Sequence, residues 1–417
     1  MLKRVTNIAL AATLLLLVTG AAVPSPQDAA EKRPKDTKEY ELITAVYKEA
    51  ADANKKLQLL DEWEKSYPET AYSTERVQAF MAAHQQAGHA KETVAYAKKV
   101  LELIPGDLQA NIAITSSTTA LYPAAGDAEK PEILKDGETA ASALISGLEK
   151  QFAAANKPPQ ATDEQWSNAK GQVALTAHQT LGWIAMQRQD HAKAEAQFKK
   201  VLEMNPKSAQ VSYWLGTELI AQGDSEKNEM ALFSLARAVA YEGEGALPPE
   251  GRQQVDEYLT KVYSTYAGTT EGLDDLKMMA KNQPLPPANL EIKSASIRKF
   301  EEIQKSRAEN PQLWAFLDLK KTLQGPQGDT VWADLKGKVT PKMRLYVVSA
   351  AARSKTISLS SEEGGPVEVV LDLANMMRTG VNPGRPITFD GVATSLTKEP
   401  FKLTLTEGEV PALGISR

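Results

Sequence analysis

The chain has 417 residues, 42% hydrophobic and 24% charged, a globular composition whose length suggests two or three domains of about 150 residues each. Its formal net charge of -5 argues against a coat for duplex nucleic acid or a polybasic membrane arm. Cysteine is absent and only 4 histidines are present, which excludes disulfide frameworks, thiolate metal sites, Fe–S clusters and thiol nucleophiles, and no cofactor or metal is expected.

Lys3 and Arg4 precede an apolar or small run from Ile8 to Val18, followed by Thr19, Gly20, Ala21 and Ala22. That order predicts a Sec-type signal peptide over residues 1–22, because the apolar run falls short of the roughly 20 residues that span a bilayer. An uncleaved anchor helix is the alternative. Residues 23–38, with Pro24, Pro26 and many charges, are expected to be a disordered leader. Without a lipobox cysteine, the expected location is the periplasm or the exterior, with no stable membrane insertion after cleavage.

Helical periodicity then runs to residue 283. Tyr40 to Ala51 and Lys55 to Ser66, ended by Pro68, form a first helix pair. Gly88 is a turn, followed by a helix that Pro105 closes. Helices near Asp107 to Leu121 and Pro131 to Ala154, and one starting near Thr162, make two enlarged units around the Lys157-Pro158-Pro159 break. The clearest unit is Leu175 to Pro206, with Leu181-Gly182 in its first helix and Ala194, Phe198 and Val201 in its second. The next repeats this with Leu215-Gly216, a turn at Gly223, and Ala231, Leu235 and Ala238. Small residues let two helices approach, a large one fills the gap, and proline ends the second helix. Pro249 to Tyr266 and Thr270 to Asn282 close the series.

These two units resemble the tetratricopeptide repeat (TPR) family. The resemblance covers residues 39–283 and implies an α-solenoid whose concave side, lined by first helices, holds a peptide or protein segment. A nonrepeating helical bundle is the alternative. The groove places implied by the resemblance hold Gln78, Gln85 and Gln86, then Ser116 and Thr119, then Gln179, Trp183 and Gln187, then Tyr213 and Thr217. This amide-and-aromatic lining lacks the lysines and asparagines with which chaperone-binding members clamp a carboxylate. Trp183 and Tyr213 also suit packing between repeats. His84 and His89, five apart, are read as lying on different faces of a helix, and all four histidines as structural.

Residues 284–327 read as a helical connector, with helices at Ile297 to Ala308 and Pro311 to Leu323. From residue 328 to 410 the pattern changes to short alternating runs at 345–348, 356–360, 367–373, 386–389 and 401–406. Turns are expected at Glu363-Gly364-Gly365-Pro366, Asn382-Pro383-Gly384 and Asp390-Gly391. The stretch from Gly384 to Thr404 resembles the end of an OB-like barrel, with a small sandwich as the alternative. The fold class is therefore mainly α, a TPR-type α-solenoid followed by a small all-β domain.

Lys336, Lys338, Lys342, Arg344, Arg353 and Lys355 cluster in sequence at the start of this domain, with Trp332 and Tyr346 as stacking candidates. They form a candidate anion-binding face. No phosphate loop, nucleophile elbow or dinucleotide fingerprint appears. Asp274-Asp275 and Glu301-Glu302 point about 100° apart on their helices and do not converge. The expected function is a noncatalytic adaptor of the bacterial cell envelope that grips a protein or peptide segment, with no nucleic-acid partner. The alternative is a sensor or carrier for a small anion or glycan, acting through the barrel.

Overall fold

A computed structural model describes residues 32–413; the expected signal peptide and the first part of the leader lie outside the described residues. Contacts divide the chain into two units, the first ending at Ile292 and the second beginning at Lys293.

The first unit contains helices α1 (Thr37–Lys48), α2 (Ala53–Ser66), α3 (Ser73–Gln86), α4 (Ala90–Leu103), α5 (Leu108–Leu121) and α6 (Lys130–Gln151). It continues with α7 (Asp163–Gln187), α8 (His191–Met204), α9 (Ala209–Ala221), α10 (Asn228–Ala240), α11 (Pro249–Ala267) and α12 (Leu273–Asn282). Side-chain caps start many of them. Asp36, Asp52, Asp107, Asp190 and Ser208 each accept a backbone N–H of the first turn, and Thr162 and Gln165 complete a capping box on α7. Residues 32–36, read as leader, are engaged: Lys32 pairs with Glu75 at 2.6 Å, and the Tyr67 hydroxyl donates to Asp36.

From α1 to α10 each helix packs on the next; α5 also touches α7, and α10 holds both α11 and α12. Apolar burial follows the same order. Trp63 and Phe80 anchor one cluster, Val100 and Ala113 the next, and Leu144 and Val173 another. Phe198 and Leu215 follow, then Phe233 and Leu259. No one cluster gathers every helix, as expected of hairpins that bury their faces only against neighbours.

The small-to-large contacts read from the sequence are present. A Cβ at Gly182 would lie 2.6 Å from Phe198, and one at Gly216 would lie 2.8 Å from Leu235. Ala194, Phe198 and Val201 are fully buried. A third such contact, Gly137 on α6 against Thr118 on α5, falls in the enlarged region where the residue pattern marks no regular repeat. Buried Arg237 donates to the carbonyls of Pro206 and Ala280, tying α10 to the end of α8 and to α12.

In the second unit, α13 (Ala295–Glu309), α14 (Pro311–Gln324) and α15 (Gly328–Leu335) precede strands β1 (Met343–Ser349), β2 (Thr356–Ser360), β3 (Val369–Leu373), β4 (Pro386–Lys398) and β5 (Phe401–Glu409). The strands close in the order β1-β2-β3-β5-β4. All neighbours are antiparallel except β3 and β5, which are parallel. The interior holds Met343, Leu345, Ile357, Leu371, Phe389, Leu403 and Leu405, the inward residues of each alternation.

Three details depart from the sequence reading. The segment 284–327 is not one connector, because Phe316 and Leu323 of α14 are fully buried in the barrel core. Residues 328–335 form a helix, with Val331, Trp332 and Leu335 packed on that core; Trp332 is a packing residue. Asp390-Gly391 is not a turn but a bulge inside the 13-residue β4. There a Cβ at Gly391 would lie 3.0 Å from the Cβ of Leu405.

Candidate partner-binding face

The first helices of the hairpins carry the expected groove residues, and their surroundings differ. On α7, Gln179 and Gln187 are half-buried, and neither amide has a hydrogen-bond partner among the described residues. Trp183, midway between them, is only 3% exposed. Its ring meets Tyr122 edge-on at 5.3 Å, beside Leu134 and Ile184. Trp183 therefore presents no face to a ligand, and packing accounts for it.

On α9, Tyr213 and Thr217 are half-buried. Tyr213 leans on the α10–α12 cluster, and burial raises its phenol pKa. The Thr217 hydroxyl donates to the Trp214 carbonyl at 2.8 Å. Of the earlier positions, Gln86 donates to the Ala50 carbonyl at 3.0 Å and so fastens α3 to the loop before α2. Gln78 reaches Asp107 at 3.5 Å, and Gln85, Ser116 and Thr119 are half-buried.

The sequence reading missed Gln210. It lies three residues before Tyr213 and seven before Thr217, so the three share one face of α9. It is 4% exposed, and neither its amide oxygen nor its amide nitrogen finds a partner. The Thr115 hydroxyl on α5 is likewise buried and unpartnered. Its own carbonyl lies 3.5 Å from the Thr180 hydroxyl of α7. A buried, unsatisfied amide costs about 1–3 kcal/mol, and only its place in the three-dimensional array reveals it.

The second helices are tied by charge. Glu195 accepts from Lys199 at 2.6 Å, Lys227 at 2.7 Å and the Gln222 amide at 2.9 Å. Burial alone would raise its pKa, but those donors outweigh it and hold the carboxyl at about 2. His178 meets Gln197 and His191 meets Glu218, each at 2.7 Å, so both histidines join neighbouring helices.

His84 and His89 are not on one helix. His84 lies in the last turn of α3 and His89 occupies the N-cap position of α4 without a side-chain cap, and Gly88, at φ +76°, reverses the chain between them. Their Nδ1 atoms lie 3.3 Å apart. The His84 ring also stacks on Tyr96, with 5.3 Å between centroids.

The candidate anion face is dispersed. Lys336 and Lys338 precede β1, Arg344 is exposed at its second residue, and Arg353 and Lys355 follow it. The seven residues of β1 carry the chain about 23 Å, so the two ends of the group lie at opposite ends of the barrel. The Lys355 ammonium donates to the Ala374 carbonyl. Lys336, Lys338, Lys342, Arg344 and Arg353 are exposed and have no carboxylate partner among the described residues. Asp274, Asp275, Glu301 and Glu302 are all exposed, and Glu301 pairs with Lys293. No group of three or more metal-ligating side chains is assembled, and no helix is long and apolar enough to cross a membrane, both among the described residues.

No protein-family model matches this chain, and no curated protein matches it. Among solved structures, a thermophilic TPR protein of Thermus thermophilus aligns with 54% of this chain and 98% of its own, at 13% identity and a TM-score of 0.27. The hairpin array described above stands on its own packing, independent of that likeness.

Proposed function

We propose that this chain is a noncatalytic protein-interaction scaffold of the bacterial cell envelope, exported by its N-terminal segment. Its helix hairpins form a TPR-type array whose first helices hold an extended segment of another protein. The observation that carries this reading is on α7: Gln179 and Gln187 are half-buried and their amides have no hydrogen-bond partner among the described residues. An accessible amide can donate to and accept from an extended backbone. On α9, half-buried Tyr213 and Thr217 continue the lining, while Gln210 beside them is buried and presents no atom to a ligand. The barrel reads as OB-like, a reading supported by its strand order and its parallel β3–β5 pair, and it would supply a second contact on the same chain.

Photo-crosslinking in the native cell tests this. A crosslinking side chain at Gln179 or Thr217 is expected to trap one discrete partner, and one at exposed Lys200 on α8 is not. Tyr213→Arg is expected to abolish the product. Equal crosslinking from α7, α8 and α9, or from none, would contradict the groove.

A second reading concerns the barrel end where residues 350–355 meet residues 374–381. The two loops exchange backbone hydrogen bonds between Arg353 and Met377 and between Val381 and Ala350. They present Arg353 and Arg378 without carboxylate partners among the described residues, which suits a small anion or an acidic glycan. Salt-sensitive binding of such a ligand by the full chain, lost in Arg353→Ala, would favour it.

A further inference from the structure

The turn between α3 and α4 places two imidazoles where a metal can bridge them. A tetrahedral ion with metal–nitrogen bonds near 2.05 Å separates two of its nitrogens by about 3.3 Å. His84 Nδ1 and His89 Nδ1 are 3.3 Å apart. Without metal, that distance is a hydrogen bond between the two rings. With metal, both Nδ1 lone pairs would be directed at the ion.

The positions are held by different means. Phe80 and Tyr96 stack against the His84 ring, the latter with an interplanar angle of 20°. His89 is fixed through its backbone, whose N–H donates to the His84 carbonyl at 2.9 Å across the Gly88 reversal. His89 is exposed, which leaves room for water ligands. Glu92, three residues after His89, and Asp61 on α2 lie within electrostatic reach of His84. Neither carboxylate has an ion-pair partner among the described residues, so both favour a cation there.

We propose that His84 and His89 form a two-histidine site for a tetrahedral divalent transition metal, zinc being the best match, with water completing the coordination. The metal would lock the α3–α4 turn of the array.

The test is calorimetric titration of the untagged full chain with zinc chloride. One equivalent is expected to bind. His89→Asn, exposed and able to cap α4, is expected to weaken that binding at least about tenfold, since loss even of a residue that only orients a ligand costs about 10–100-fold. His84→Ala should do the same, and a His178→Ala, His191→Ala double variant should bind as the parent does. No saturable binding, a loss below tenfold in His89→Asn, or an equal loss in the His178/His191 variant would overturn the site.

Discussion

Gly182 on α7 and Phe198 on α8 approach so closely that a single methyl group on the glycine would lie 2.6 Å from the phenyl ring. Gly216 and Leu235 repeat the relationship one hairpin later, so the close approach is a property of the repeat. Gly182→Ala is therefore expected to destabilise the protein by about 1–3 kcal/mol through overpacking. Adding Phe198→Leu should recover part of that loss, because the shorter side chain vacates the clash. Denaturant unfolding of the two single variants and the double variant measures the coupling. A fully additive result would show that the two residues do not share this space.

The α7–α8 turn has an avoidable cost. Gln189 adopts φ +60°, the conformation that Gly88 and Gly223 supply at φ +76° and +67° in two other hairpins. Left-handed backbone costs an ordinary residue roughly 1 kcal/mol more than glycine. Gln189→Gly should raise stability by about 0.5–1 kcal/mol, read as an upward shift in the unfolding midpoint. A downward shift would mean that the glutamine side chain contributes more than its backbone loses.

Gln210 bears on stability alone. Gln210→Leu removes a buried amide that has no partner, so the protein should gain on the order of 1 kcal/mol, read by denaturant unfolding. Capture of the partner trapped from Thr217 should be unchanged, because the buried amide presents no atom to it. A less stable variant would mean that the amide is satisfied within the protein.

Acid should weaken the tie between α8 and the α9–α10 turn through Glu195, whose carboxyl sits at about 2 against an ordinary 4.5. The unfolded chain binds the proton more readily than the folded one. The network's contribution is thus complete above about pH 4.5 and fades as pH falls toward 2. Glu195→Gln should cost on the order of 2 kcal/mol at pH 7, and the gap to the parent should narrow below pH 4. A gap constant from pH 7 to pH 3 would remove the carboxylate's charge from the account.

The legible parts of the fold are those written in local chemistry. Gly182, Ala194, Phe198 and Pro206 stand within one hairpin, and their spacing alone predicts close packing and a stop. The barrel strands are legible from alternation, although β4 is cut short in that reading at Asp390-Gly391, where a bulge looks like a turn. Placement across the fold is not legible. Lys336 and Arg353 are near neighbours in sequence, but β1 carries the chain from one end of the barrel to the other. His84 and His89 look separated on a helix until the reversal at Gly88 is followed through to the side chains around it. Trp183 reads from the sequence as packing or as a ligand platform, and its burial with the edge-on contact to Tyr122 favours packing. Gln210 carries no signal in the sequence at all, since an unsatisfied amide is a property of its neighbours.

The central claim is that the helices up to α12 form a linear array in which each hairpin depends on its neighbours. Native-state hydrogen exchange on the full chain carrying Gly182→Ala tests it most directly. The array predicts faster exchange in α7 and α8, a smaller effect in α6 and α9, and unchanged protection in α1, α2 and α12. A uniform loss of protection across all twelve helices would show one cooperative globule and contradict the account.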